Sequence, residues 1–268
     1  MCWRGCARCL GCQTCATSSC GEPPIADVRA LPGIRYHLAH AGDPSTLVAP
    51  PYDVIPEADL PHYRSLSPYN VVRLIRPGTD YQGAATTFEA WIRDGILHPD
   101  PTSMYVHEVT FGGRRRRDLI AALRLQPYED RVVLPHERTH RGPKEDRLAL
   151  LRATNVSLEP LWFVYEGSQT ELTPILERSA ARAPAVTFKG PEGTEHRLWV
   201  ISDPAIHAAV HAAFEGLPVL IADGHHRYET ALAHSEEVGG EADAASRFTL
   251  ALLTDIADPG LQVLPTHG

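Results

Sequence analysis

Apolar and polar positions alternate in blocks along the chain, and the clearest block covers residues 219–229. The run Val-Leu-Ile-Ala is followed there by Asp-Gly and then by His-His-Arg-Tyr-Glu. A short apolar run with branched residues is typical of a buried strand, and Asp-Gly marks a turn. The next apolar or small residues share one helical face, which predicts a helix from about residue 226. Those residues are Tyr228, Ala231, Leu232 and Ser235. The pattern is strand, tight turn and helix N-terminus.

The same periodicities predict further elements on either side of this block. Strands are predicted at residues 70–75, 104–111, 118–125, 161–165, 198–201 and 248–253. Helices are predicted at residues 81–95, 170–183 and 204–214. Four arginines at 114–117 lie at the turn of a predicted hairpin, either as a solvated tip or as a phosphate site. The elements together predict an α/β (mixed α+β) fold.

Composition narrows the classes of protein to which this chain can belong. The 268 residues are 43% apolar, which is enough for a substantial core, and their formal net charge is −8. An acidic chain is poorly suited to nonspecific binding of nucleic acid or anionic membrane, so DNA is not expected as a partner. No apolar run approaches the roughly 18 residues of a membrane-spanning helix. We therefore expect a soluble protein with no membrane partner, whose oligomeric state the sequence does not specify.

All six cysteines lie within the first 20 residues, at positions 2, 6, 9, 12, 15 and 20. Four of them repeat at three-residue spacing, which can ligate zinc or an iron–sulfur cluster, although the common cluster motif widens before its fourth cysteine. The alternative is an adventitious extension, and we predict a disordered Cys-rich segment at residues 1–21. The cysteine-free remainder favours a reducing compartment and predicts a cytoplasmic location.

Five residues with chemical capability are adjacent at positions 223–227, which we call the elbow: Asp223, Gly224, His225, His226 and Arg227. A helix N-terminus attracts anions because its first N–H groups have no intrahelical partner. Arg227 can hold phosphate through two hydrogen bonds, and both histidines titrate near neutral pH. We expect Gly224, His225 and Arg227 to bind phosphate, and Asp223 and His226 to be catalytic. The alternative is structural, with Asp223 capping the helix, Gly224 only making the turn and the histidines solvated.

A second dense stretch lies at residues 132–147, and its polar part, which begins at His136, is called the 136–147 patch. Its segment His-Glu-Arg-Thr-His at 136–140 matches the H-E-x-x-H motif of zinc peptidases, in which both histidines lie on one helix face. Pro135 precedes the motif and Gly142-Pro143 follows it, which leaves too little helix for that geometry. The context therefore favours a loop over a zinc-peptidase helix.

This loop is predicted to present His136, Glu137 and Thr139, and a helix is predicted to begin at the proline that follows. Glu137 is a candidate catalytic carboxylate, whereas His136 and Thr139 are candidate phosphate or nucleotide ligands. Lys144 and Arg147 lie on the first turn of the predicted helix, either as further phosphate ligands or as a solvated face. None of these residues is predicted to be a dedicated metal ligand.

Five ordered motifs resemble one family closely. They are Pro-Pro-Tyr-Asp-Val-Ile at 50–55, Asn-Val-Val-Arg-Leu at 70–74, His-Glu-Arg-Thr at 136–139, Pro-Lys-Glu-Asp-Arg-Leu at 143–148 and Ala-Asp-Gly-His-His-Arg-Tyr-Glu-Thr-Ala at 222–231. Over roughly residues 24–267 the chain resembles the bacterial and archaeal family catalogued as domain of unknown function 1015. In that family the segment Leu-Pro-Thr-His is usually followed by more chain, so the resemblance suggests that this sequence is truncated. In the 50–55 motif, prolines hold Tyr52 and Asp53 on a stiff loop, either for display or as a connector.

The elbow is also similar to the nucleotide-binding turn of the ParB and sulfiredoxin superfamily, which includes free-serine kinases. This resemblance implies a ParB-like strand-turn-helix core, which we place at residues 167–268, after an N-terminal α/β region at residues 22–166. It also implies a nucleotide and a small-molecule substrate as partners, with Mg²⁺ and ATP or ADP as cofactors. These implications rest on analogy of fold and family.

The expected function is nucleotide-dependent phosphoryl transfer on a small hydroxylated metabolite such as serine or phosphoserine. Such catalysis needs phosphate donors, a metal and a base, and the elbow with the 136–147 patch supplies candidates for each role. Two alternatives stay open. One is a non-catalytic ParB-like nucleotide- or DNA-binding protein, and the other is a metal-dependent hydrolase.

Overall fold

The computed structural model describes residues 26–137, 141–168, 170–190 and 193–262, and only the backbone of residues 141–143. Its helices are α1 (Leu38–Ala41), α2 (Leu60–Leu66), α3 (Val72–Ile75), α4 (Tyr81–Arg93), α5 (Arg141–Thr154), α6 (Leu172–Ser179), α7 (Pro204–Ala213) and α8 (His225–Val238). Its strands are β1 (Val28–Arg29), β2 (Ile34–Tyr36), β3 (Leu97–Pro99), β4 (Met104–Phe111), β5 (Arg114–Arg124), β6 (Val133–Leu134), β7 (Leu161–Tyr165), β8 (Val186–Lys189), β9 (Glu195–Ile201), β10 (Val219–Asp223) and β11 (Phe248–Asp255). The mixed α/β fold is confirmed.

One nine-stranded sheet organises most of the described chain. Its strands follow the order β6-β10-β7-β11-β5-β4-β9-β8, and β1 pairs with the end of β5. The predicted hairpin is β4 and β5, which turn at two glycines with positive φ. Most neighbours are antiparallel, but β10 is parallel to β6 and β11 is parallel to β7. Strand β6, which precedes the 136–147 patch, is therefore a parallel neighbour of β10, which leads into the elbow.

The main core forms where three helices cover the sheet. Buried side chains on alternating strand positions, such as Val106, Leu119 and Phe163, pack with buried side chains of α6, α7 and α8. Tyr228 anchors α8 in this core, and its hydroxyl donates to the Gln126 carbonyl at 2.7 Å. Burial of a large side chain with its hydroxyl satisfied stabilises the helix that carries the elbow.

Residues before the main sheet form two smaller apolar clusters. One contains Phe88 and Trp91 of α4, and the other contains Tyr52 and Val72. Helix α4 packs on α5, and α5 packs on α8. The N-terminal clusters therefore reach the elbow through this layer of helices.

The strand predicted at residues 70–75 is wrong, because the chain there forms a turn and then α3. Asn70 is fully buried, and its side-chain amide donates to the carbonyls of Thr46 and Val48 at 2.8 and 3.0 Å. Its side-chain oxygen accepts from the Val72 N–H at 3.0 Å. Local bonds of this kind compete with strand pairing, and a short apolar run cannot distinguish strand from helix by periodicity.

The sheet draws strands from both sides of residue 166, where we predicted a boundary between regions. Strands β1 and β4–β7 precede that residue, and β8–β11 follow it. The predicted Cys-rich segment at 1–21 lies outside the described residues. None of the helices within the described ranges is long and apolar enough to cross a membrane.

Candidate functional site

The elbow and the 136–147 patch meet because of strand pairing. Val133 and Leu134 of β6 pair in parallel with Val219 and Leu220 of β10. The chain that leaves β6 therefore lies beside the chain that leaves β10. Strand β7 is antiparallel to β10, so its beginning lies at the same edge of the sheet. Carboxyl ends of parallel strands commonly carry binding sites in α/β folds.

Gly224 makes the sharp turn from β10 into α8. Its φ of 98° lies in the left-handed region, where residues with a Cβ are strained. Gly224 occupies the N-cap position, and no side chain among the described residues caps the helix there. The first N–H groups of a 14-residue helix therefore face this edge without a side-chain cap. The alternative that Asp223 caps the helix is excluded.

His136, Glu137 and His225 form a compact cluster at this edge. One potential ligand atom from each lies within 4.8 Å of the others. The Nδ1 atom of His225 lies 3.1 Å from Glu137 Oε1, and the two imidazole rings are 4.4 Å apart in a T-shaped contact. His136 and Glu137 lie in a bend outside any helix or strand, as the predicted loop requires. The sheet thus joins two residues of one patch to one residue of the elbow.

The hydrogen bonds assign the protons of this cluster. The His136 backbone N–H donates to His225 Nε2 at 3.2 Å, which leaves the His225 proton on Nδ1, where it is donated to Glu137. Burial lowers the pKa of His225, although the Glu137 carboxylate raises it. His136 Nδ1 lies 2.7 Å from the Ile221 carbonyl and must donate to it. His225 is therefore a neutral imidazole that donates a hydrogen bond to the Glu137 carboxylate.

Arg227 and Asp223 form an ion pair beside this cluster. Arg227 Nη2 donates to Asp223 Oδ2 at 2.7 Å, and Nη1 donates to the Pro160 carbonyl at 2.8 Å. These bonds hold the guanidinium against Gly224, where an added Cβ would lie 3.1 Å from Nη2. Arginine has five N–H donors, and these two bonds use two of them. The Arg227 side chain is only 10% exposed, whereas that of Asp223 is 50% exposed.

Helix α5 brings Arg147 and Lys144 to the same edge. Arg147 is buried, with its guanidinium carbon 4.0 Å from the centre of the Tyr52 ring and Nη1 donating to the Ile75 carbonyl at 2.9 Å. The alternative of a solvated face is therefore wrong for Arg147. Lys144 forms an ion pair with Glu229 of α8. A guanidinium above an aromatic ring gains a cation–π contact, so the arginine and the tyrosine fix each other.

Glu159 is a residue of this site that the sequence reading missed. Its Oε1 accepts from the Tyr52 N–H at 3.0 Å, which docks the stiff proline loop onto the start of β7. Burial raises the pKa of Glu159, although the charges of Arg227 and Arg147 lower it. The signal available was position alone, because Glu159 precedes the proline that leads into β7. A carboxyl group whose pKa is raised by burial is a candidate for proton transfer.

The structure brings together most of the residues predicted for the site. Asp223, Gly224, His225, Arg227, His136, Glu137, Lys144 and Arg147 all lie at this edge. His226 is half-buried in the first turn of α8, where its carbonyl accepts from the Thr230 hydroxyl at 2.7 Å. Thr139 lies outside the described residues.

Comparison with known proteins identifies a family for this chain but no activity. No curated protein and no solved structure matches it. One family model matches residues 28–267, and its description is "protein of unknown function (DUF1015)". The match covers the sheet, the elbow and the 136–147 patch. The chain therefore belongs to the DUF1015 family of proteins of unknown function.

Proposed function

We propose that this protein transfers a phosphoryl group between a nucleotide and a small hydroxylated metabolite such as serine or phosphoserine. The observation that carries the proposal is the convergence at one edge of the α8 N-terminus, Arg227 and the His225–Glu137 pair. Phosphoryl transfer depends on positioned positive charge and on a base for the acceptor hydroxyl. The helix N-terminus and Arg227 supply the positive charge, and the His225–Glu137 pair supplies the base.

The residues take distinct roles in this proposal. Gly224 allows the phosphate to approach the first N–H groups of α8, and Arg227 neutralises its charge. Glu137, oriented by the N–H of His225, accepts the hydroxyl proton, with His226 as a second acid–base group. Asp223 has the exposure needed to bind Mg²⁺ with the phosphates of ATP or ADP. His136, Thr139, Lys144 and Arg147 are further candidates for nucleotide or phosphate contacts.

The elbow motif and the acidic composition refine this proposal. The similarity of the elbow to ParB-like nucleotide-binding turns supports a nucleotide as one partner, and we propose a ParB-like core on that basis. A net charge of −8 suits a small-molecule enzyme better than a DNA-binding protein. The absence of cysteine after residue 20 supports a cytoplasmic location.

Isothermal titration with ATP, ADP and CTP in the presence of Mg²⁺ tests the proposal. We expect one nucleotide to bind and Arg227→Ala to weaken it at least about tenfold, since charged hydrogen bonds contribute roughly 1.5–3 kcal/mol. Arg152→Ala is the matched control, because it removes an arginine from an exposed ion pair with Glu237. A folded protein that binds none of the nucleotides, or that binds equally in both variants, contradicts the proposal. Product assays with serine and phosphoserine then identify the acceptor.

Metal-dependent hydrolysis is a second candidate, supported by the cluster of His136, Glu137 and His225. Zinc sites use histidine nitrogen and carboxylate oxygen, and metal-binding histidines commonly donate their other N–H to a carbonyl, as His136 does to Ile221. Metal ligation by His225 requires a change, because its Nε2 now accepts from the His136 N–H and its Nδ1 carries the proton. Stoichiometric zinc in the purified protein, lost in His136→Gln, favours this candidate.

A further inference from the structure

Four side chains form a continuous hydrogen-bonded chain on the sheet, at a distance along the strand order from the elbow. Asp118 Oδ2 lies 3.0 Å from His107 Nδ1, and His107 Nε2 lies 3.0 Å from His196 Nδ1. His196 Nε2 lies 3.0 Å from the Thr194 hydroxyl oxygen. We call these residues, Asp118, His107, His196 and Thr194, the histidine relay.

Strand register brings the relay together. His107 of β4 pairs with Asp118 of β5 on one side and with Leu198 of β9 on the other. His196 is two residues from Leu198 and therefore points to the same face of the sheet. The relay lies near the β8 end of the strand order, whereas the elbow follows β10 near the opposite end. It is therefore a separate set of chemical groups.

Asp118 fixes the direction of every hydrogen bond in the relay. It is fully buried, and it accepts from Arg116 Nη2 at 3.2 Å and from the Thr254 hydroxyl at 2.5 Å. The hydrogen bond from His107 and the charge of Arg116 hold the pKa of Asp118 below its usual value against the effect of burial. A carboxylate only accepts hydrogen bonds, so His107 carries its proton on Nδ1.

The remaining protons follow in sequence from that assignment. His107 Nε2 accepts from His196 Nδ1–H, because the His107 proton already lies on Nδ1. His196 Nε2 then has a lone pair and accepts from the Thr194 hydroxyl. Burial is the main cause that lowers the pKa of His196 to about 4, and the charge of Arg116 acts in the same direction. The relay therefore places a neutral base against a hydroxyl.

Tight packing fixes the end of the relay. The Phe188 ring stacks on the His196 ring at 4.7 Å with an interplanar angle of 6°. A Cβ atom at Gly190 would lie 2.5 Å from both His196 Nε2 and Thr194 Oγ1, so the glycine lets the backbone approach the pair closely. The Gly190 N–H also donates to the Thr194 carbonyl at 2.8 Å. The hydroxyl and its base are thus held together by the β8–β9 hairpin.

A hydroxyl that contacts a base, with the base oriented by a buried carboxylate, is the arrangement that activates nucleophiles in acyl transfer. The relay differs by one inserted histidine, which carries the effect of Asp118 to His196. Thr194 and His196 are both half-buried, so this end of the relay reaches the protein surface. The opposite end, at Asp118, is closed.

We propose that the histidine relay is an acyl-transfer site in which Thr194 is the nucleophile and His196 the general base, acting on a carboxylic ester. Thr194 Oγ1 bonds to the ester carbonyl carbon, and its proton passes to His196 Nε2. The C–O bond to the alcohol breaks, and the alcohol leaves with that proton. Water then attacks the Thr194 ester, gives one proton to His196 and releases the acid, while the threonine oxygen regains the proton. His107 is a positioning residue that holds the His196 ring through Nδ1, and the charge of Asp118 favours the positive charge that forms on His196.

A fluorophosphonate probe tests this proposal directly on the full chain. Attack by Thr194 forms an O–P bond and releases fluoride, and the hydroxyl proton passes to His196. We expect a single adduct, located at Thr194 by peptide mass spectrometry and lost in Thr194→Val. Thr187→Val is the matched control, because it removes an exposed threonine from the same hairpin. No adduct at Thr194 of the folded protein overturns the proposal.

The second part of the test measures whether labelling of Thr194 depends on the two histidines of the relay. His196→Gln should slow labelling of Thr194 at least about 100-fold, the usual contribution of a general base. His107→Ala should slow it about tenfold or more, and added imidazole should restore part of the rate, which a loosened fold would not allow. Labelling that is unchanged in His196→Gln overturns the proposal. Arg152→Ala should label like the unmodified protein, and labelling needs no nucleotide, so this test is independent of nucleotide binding at the elbow.

Discussion

The elbow site and the histidine relay each hold a histidine against a carboxylate, but they do so in different parts of the fold. The elbow site uses segments that have just left their strands, and its carboxylates Asp223 and Glu137 are 50% and 51% exposed. The relay uses residues on paired strands, and its carboxylate Asp118 is 0% exposed. Exposed charges contribute little to stability and accept ligands readily, whereas a buried charge requires all its partners. The two sites should therefore respond very differently to loss of a carboxylate.

The largest expected effect is the loss of the buried carboxylate. Asp118→Ala leaves Arg116, His107 and Thr254 without their common acceptor, and we expect the free energy of unfolding to fall by about 3–5 kcal/mol. Asp223→Ala removes an exposed partner of Arg227, so the expected loss is within about 1 kcal/mol. Urea denaturation of both variants measures the difference.

Asp243→Ala is the control for removal of a charge, because its carboxylate is 75% exposed and pairs with two arginines. It should behave like Asp223→Ala. If Asp118→Ala costs no more than these two variants, Asp118 is not the fixed end of the relay.

The same contrast explains what the sequence could predict. The elbow occupies five consecutive residues at the end of a recognisable strand, so its candidate residues could be identified from the sequence alone. The strand, the glycine turn and the helix all formed as predicted. The relay joins residues 107, 118, 194 and 196, whose proximity depends on the register of three strands. A hairpin was predicted for β4 and β5, but periodicity does not specify which residues face each other. Periodicity therefore could not supply the pairing register between strands that are far apart in the sequence.

Charged residues were misjudged where tertiary packing decides their environment. A solvated face was an open alternative for Arg147, yet the docked proline loop covers it with Tyr52. Arg114 and Arg115 follow the hairpin turn and are exposed, as expected of a solvated tip, whereas Arg117 lies further along β5 and binds buried Glu108 at 2.7 Å. Glu159 carried no motif and was missed. For Arg147 and Glu159 a partner distant in sequence determines the environment of the charge, whereas Arg117 pairs across its own hairpin.

A smaller effect is expected at the turn of the elbow. Gly224→Ala places a residue with a Cβ atom at a φ of 98°. The left-handed backbone conformation lowers the free energy of unfolding by about 1–2 kcal/mol for such residues. Gly216→Ala is the matched control, because its φ is 79° and nothing lies within 4 Å of the added Cβ. Thermal or urea unfolding should show similar losses for both variants.

Nucleotide binding should separate the two glycine variants. The Cβ of Gly224→Ala lies 3.1 Å from Arg227 Nη2 and shifts the guanidinium, whereas Gly216→Ala leaves it in place. If the elbow holds phosphate as proposed, only Gly224→Ala weakens binding in the titration. Equal weakening in both variants would assign the effect to stability and not to the elbow.

The smallest expected effect is a pH dependence that both sites share. The pKa of His196 is lowered to about 4, and burial also lowers the pKa of His225, so the folded protein binds protons less readily than the unfolded chain at both residues. Stability therefore falls as the pH decreases from the unfolded value of about 6.5 toward 4, and it recovers above that range. Because His196 is partly exposed, we expect it to contribute only about 1 kcal/mol to this change.

Urea denaturation at pH 7, 5.5 and 4 measures this dependence, since these values cover the interval from about 6.5, the pKa of histidine in the unfolded chain, down to about 4, the pKa of His196 in the folded protein. His196→Gln and His225→Gln should each flatten the dependence, because glutamine has no proton to gain in the unfolded chain. His62→Gln is the control, because that histidine is exposed on α2. A slope unchanged by both variants would mean that neither histidine is held neutral by the fold. In that case the proton assignments of the elbow pair and of the relay would fail together, because both rest on a neutral imidazole that accepts through Nε2.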